Sequence, residues 1–138
     1  QHFATVAKMS LIALAQADRR DPLDDAIEAH VHGPVRIDQD VEALVLDPSF
    51  RGGVVEELAR KLPCALEWHP GFRLKCPELA AHPDYRGLEF VNLGMAIARE
   101  GVLTPALLGE AANSGRHDPQ AIKKVWHYLA RFGSESIG

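Results

Sequence analysis

Cysteine is scarce, with only Cys64 and Cys76 among 138 residues. A small disulfide scaffold needs far denser cysteine to staple a weak core, so that class is excluded, and the pair reads as reduced thiols of a cytoplasmic protein. Positive charge is also in deficit: Lys and Arg number 15 against 19 acidic residues, a formal net charge of −4. Binding to phosphate backbones or anionic headgroups draws on an excess of cations, so neither nucleic acid nor a membrane surface is supported as a partner. The longest apolar stretch, within Ala4 to Ala17, is broken by Lys8, Ser10 and Gln16 and falls well short of a bilayer span. Also absent are Gly-x-Gly-x-x-Gly, a P-loop, Gly-x-Ser-x-Gly, His-Glu-x-x-His and paired Cys-x-x-Cys, which removes the enzyme classes those motifs serve. The chain opens at Gln1 without an initiator Met or a signal-type leader. It is expected to be one domain over 1–138, the C-terminal portion of a larger one, with the missing N-terminal half as its partner.

What is present is globular in balance: 46% of the residues are hydrophobic and 25% charged. Val6, Met9, Leu11, Ile12 and Leu14 predict a helix buried on most sides, ended by Asp21-Pro22. From Ala26 to His32, Ile27, Ala29 and Val31 alternate with Glu28, His30 and His32, which predicts a half-exposed strand closed by Gly33-Pro34. Val41 to Leu46 predicts a second, more buried strand. Gly52-Gly53 then precedes a helix with Val54, Val55, Leu58 and Leu62 on one stripe. Leu66 to Leu74 reads as an edge strand bent at Pro70-Gly71, or a strand followed by a loop. Thr104-Pro105 and Asp118-Pro119 each supply a cap and a first-turn proline, while Gly115 and Gly133 are placed to end the two helices. In the last helix Ile122, Val125, Trp126 and Leu129 are expected to face a core. The fold class that follows is α+β: a small mixed or antiparallel sheet in the first half packed against helices, and a helical C-terminal third.

Three constellations could carry chemistry. On a strand, residues two apart point the same way, so Glu28, His30 and His32 would share one face. Two imidazoles and a carboxylate could begin a metal site, but a closed site needs further ligands, for which His69 and His82 are the only candidates, so a metal is not expected. Alternatively Glu28 is a lone carboxylate, fixed on a strand, that stabilises an oxocarbenium-like transition state during glycosidic cleavage. The stretch Trp68-His69-Pro70-Gly71-Phe72-Arg73 places aromatic, imidazole and guanidinium groups around a turn, a composition suited to gripping a ring or a phosphate and equally to a packed loop. Lys123, His127 and Arg131, with Lys124, make a basic stripe on the last helix. Without interleaved aromatics it reads as a solvated face.

The stretches Ile27 to Val35, Asp40 to Gly52, Glu67 to Leu74, His82 to Gly87 and Lys123 to Gly133 closely resemble a bacterial family known only as a domain of unknown function, number thirty-six twenty-six. The likeness spans nearly the whole chain and implies no activity by itself; at His30 the family more usually carries Gln. A looser similarity, over Ile27 to Leu46, is to ADP-ribosyltransferase folds, in which one strand carries the catalytic Glu. That similarity implies NAD as substrate and Glu28 as the catalytic carboxylate, hydrogen-bonded to the nicotinamide ribose. His30, His32, Trp68, His69 and Arg73 would then contribute to NAD binding, while the Arg and Ser-Thr parts of the site would lie in the preceding half. On that division the isolated chain is expected to bind NAD weakly and turn it over undetectably. The rival reading is a non-catalytic module whose helices dock a partner.

Overall fold

The structure, a computed structural model, describes residues 29–134. Glu28 and the helix expected over Ala4 to Ala17 lie outside the described residues. The chain divides into two compact units at Pro34/Val35. Of the first, only Ala29 to Pro34 are described, and they form no strand; Val31 is 75% exposed. The strand expected across Ala26 to His32 is therefore not found in its described part. Alternation supplies a potential apolar face, but a strand also needs a neighbour to pair with, and Gly33-Pro34 interrupts the backbone just beyond it.

The second unit, Val35–Gly138, is α+β. After a short helix α1 (Ile37–Asp40) comes β1 (Ala43–Leu46), then a 3-10 turn (Pro48–Phe50), α2 (Val54–Ala59) and β2 (Ala65–Trp68). β1 and β2 pair in parallel with Ala43 opposite Ala65 and Leu46 opposite Trp68. Together with the intervening helix they make one βαβ unit. β3 (Leu74–Lys75) pairs antiparallel with β4 (Val102–Leu103). α3 (Cys76–Ala80) and α4 (Leu88–Ile97) lie between these two strands, and α5 (Pro105–Asn113) and α6 (Pro119–Phe132) follow. Both Cys64 and Cys76 are free thiols.

The core lies where α3, α4, α5 and α6 pack over β3 and β4, with Leu74, Leu79, Leu103, Val125, Tyr128 and Leu129 fully buried. Gly94 is what lets α4 approach: a Cβ there would come within 2.8 Å of a Leu79 methyl and 3.2 Å of a Val125 methyl. The Tyr128 hydroxyl receives the Arg86 N–H at 3.1 Å and donates to the His82 carbonyl at 3.0 Å, fastening the α3–α4 loop to α6. Stacking of His82 on Phe132, with ring centroids 3.9 Å apart, closes the same junction.

The helix caps are where the sequence places them. The Thr104 side chain accepts from Leu107 N–H, the Asp118 side chain accepts from Gln120 N–H at 3.0 Å, and each helix begins with its proline. Gly115, with φ of +67°, follows α5 in the left-handed conformation that ends helices. Replacing Asp118 by Ala is therefore expected to cost about 1 kcal/mol of stability. An unchanged unfolding midpoint in urea would remove the cap from the account.

Two expectations about burial need correction, and a third holds only in part. Trp126 is 40% exposed, because Tyr128 completes the apolar face with Ile122, Val125 and Leu129 and leaves Trp126 on its flank. β1 is more buried than Ala29 to Pro34, which are all exposed, yet none of its residues is fully buried: Ala43, Leu44 and Leu46 are half-buried and Val45 is 57% exposed, because the sheet has only two strands. α2 buries only Ala59, and Val54 and Leu58 of its apolar stripe are 68% and 56% exposed. A helix this short presents one covered turn, and the stripe looks away from it.

Candidate functional site

In open α/β sheets ligands bind beyond the carboxyl ends of the strands, where loops from neighbouring strands diverge. β1 and β2, being parallel, end side by side at Leu46 and Trp68. Two turns begin there: Asp47-Pro48-Ser49-Phe50-Arg51-Gly52-Gly53 and His69-Pro70-Gly71-Phe72-Arg73. They are bolted together by one carboxylate. Asp47 accepts from Ser49 N–H at 2.8 Å, capping its own 3-10 turn, and its other oxygen accepts from Phe72 N–H, also at 2.8 Å, across 25 residues of sequence. The Ser49 hydroxyl in turn accepts from Ala106 N–H at 3.1 Å, tying the first turn to the start of α5. Within the second turn His69 Nδ1 accepts from Gly71 N–H at 2.9 Å and the imidazole stacks on Phe72.

These bonds frame a cavity of about 230 Å3 lined by Asp47, Pro48, Ser49, Arg73 and Thr104. Arg73 is exposed, its backbone is held by reciprocal hydrogen bonds with Ser134, and its guanidinium makes no ion pair among the described residues. At the same strand end, Trp68 is half-buried with the Arg51 guanidinium 4.4 Å above its ring, a cation–π contact. The Arg51-Gly52-Gly53 loop is fixed by Glu56 from α2. Gly52 N–H donates to its carboxylate at 2.7 Å and Arg60 donates at 2.9 Å; together, the Gly52 bond first, they hold its carboxyl below the usual glutamate range.

Of the residues singled out in the sequence, the structure gathers Trp68, His69 and Arg73 at this one strand end. His30 and His32 are exposed in Ala29 to Pro34, outside this unit. Glu28, and with it the Glu28, His30 and His32 set, is not within the described residues. Among the described residues no group of three His, Cys, Asp or Glu side chains could hold a metal ion, and no helix is long and apolar enough to cross a membrane.

Against known proteins, the model of a family described as a protein of unknown function, DUF3626, matches residues 1–132. The chain belongs to this family. No curated protein and no solved structure matches it. In this DUF3626 chain Asp47, Ser49 and Arg51 join the site although they are not among the candidate site residues that the sequence motifs single out. A signal for them was present: Asp-Pro immediately after an apolar strand and Gly-Gly immediately before a helix mark the turn at a strand's carboxyl end, where a βαβ unit presents its ligand groups.

Proposed function

We propose that this chain is part of an ADP-ribosyltransferase-like, NAD-using enzyme, and that its Val35–Gly138 unit grips a phosphate-bearing part of the dinucleotide at the carboxyl ends of β1 and β2. The observation that carries the reading is the convergence of Arg73, Ser49 and Thr104 on one cavity at the strand end where Trp68, under the Arg51 guanidinium, also lies: a guanidinium, hydroxyls and an aromatic ring on one end of the sheet. Phosphate calls for the first group of donors and a base or nicotinamide ring for the second. Glu28 enters from the sequence similarity, as the carboxylate that meets the cation formed when nicotinamide leaves. At about 230 Å3 the cavity is smaller than a pocket that would enclose a whole dinucleotide, and it suits one phosphate or ribose.

The test is NAD titration of the full-length protein by calorimetry. Arg73→Ala is expected to weaken binding at least about ten-fold, the scale of one charge-assisted hydrogen bond to phosphate, without lowering Tm. Equal affinities for the two proteins would remove the cavity from the NAD site. A second reading, a docking module without catalysis, is favoured by the exposed apolar side chains Val45, Val54, Val55 and Leu58. It takes the lead if the full-length protein binds no NAD.

A further inference from the structure

On the other side of the Ser49-Phe50 turn a cleft of about 640 Å3 runs between the Arg51-Gly52-Gly53 loop and α5, within the size range of small-molecule sites. Its walls are apolar, formed by Phe50, Val54, Val55 and Ala106, and its floor is the backbone of α5 at Gly109. Gly109 sits inside that helix, where glycine weakens a helix relative to alanine. Packing does not require it. A Cβ built there meets nothing nearer than Phe50 Cε1 at 3.8 Å, an ordinary contact, whereas the Cβ of the packing glycine Gly94 would meet Leu79 at 2.8 Å. Gly109 therefore keeps the cleft open and its backbone accessible from above. The charges around the cleft are unequal as well. Glu110, which also lines it, is engaged by Arg99, while Arg51 makes no ion pair among the described residues. The rim is preformed, because Gly52 N–H is bonded to Glu56 and Gly53 N–H to the Phe50 carbonyl.

We infer that this cleft is a binding site for a small planar ligand with an anionic group, its ring lying between Phe50 and the Gly109 backbone and its carboxylate or phosphate on Arg51. Asn113 and Ser114 supply polar contacts at the far end. The cleft is a different cavity from the one assigned to NAD, although Ser49 and Arg51 belong to both readings, and its test needs no NAD.

The test uses the full chain with 1-naphthoate as probe, followed by amide chemical shifts. Shifts are expected at Gly52, Gly53 and Gly109, saturating with probe. Gly109→Leu, which fills the floor without opposing the helix, is expected to weaken binding at least ten-fold while leaving the protein folded. Gly109→Ala is expected to raise Tm by a few degrees and to weaken binding to a smaller extent. Shifts confined to Val45 of β1 and Leu58 of α2, which are exposed and do not line the cleft, or Gly109→Leu binding the probe as the wild type does, would overturn the inference. So would a fall in Tm for Gly109→Ala, since packing would then account for the glycine.

Discussion

Glu28→Gln in the full-length protein is expected to slow the release of nicotinamide from NAD by about two to three orders of magnitude, the effect of removing one preorganised electrostatic partner from a transition state, with no shift in Tm. Cleavage of the nicotinamide–ribose bond builds positive charge on the sugar, and a fixed carboxylate opposite that charge stabilises the transition state more than the ground state. Gln has the same shape and keeps a hydrogen bond to a ribose hydroxyl, so substrate affinity should change little and the loss should fall on kcat. Chromatographic measurement of nicotinamide, run beside a thermal melt, checks both halves of the statement. A variant that turns over at the wild-type rate removes Glu28 from the chemistry and moves the docking reading ahead. A variant that loses Tm instead marks Glu28 as a structural residue.

What was legible in the sequence was local. Thr104-Pro105 and Asp118-Pro119 start helices because a side-chain oxygen and a proline act within a single turn, and both caps are found. The β2 strand and the turn after it were legible from Trp68 and Pro70-Gly71 for the same reason. Burial was less legible, since periodicity reports which face is apolar but not whether anything covers it. Val54 and Leu58 form a clean stripe and remain exposed, while Tyr128, which the apolar spacing of the last helix did not single out, is fully buried because partners 42 and 46 residues earlier satisfy its hydroxyl. The site was legible in part. Trp68, His69 and Arg73 share one short motif, whereas Asp47 earns its role only from the Phe72 N–H in a different turn, and pairing over that distance follows from the parallel register of β1 and β2.

Asp47 is consequently the residue at which fold and site should fail together. Its two oxygens serve two different backbone donors, one in each turn, and neither Ser49 N–H nor Phe72 N–H is bonded elsewhere among the described residues. Asp47→Ala leaves both half-buried donors unmet and is expected to cost about 2–3 kcal/mol, the scale of hydrogen bonds to a charged group. Asp47→Asn is the sharper experiment. An amide has one acceptor oxygen, so it can satisfy one turn only and must face the other N–H with its own NH2. The Asn variant should therefore lose most of what the Ala variant loses, although it differs from the wild type by a single polar atom. Hydrogen exchange separates the two donors: the Phe72 amide, the longer-range partner, should lose protection in both variants, and NAD affinity should fall with it because Arg73 is the next residue. A fully stable Asp47→Asn protein with a protected Phe72 amide would show that one acceptor suffices and that the two turns hold their positions without the carboxylate.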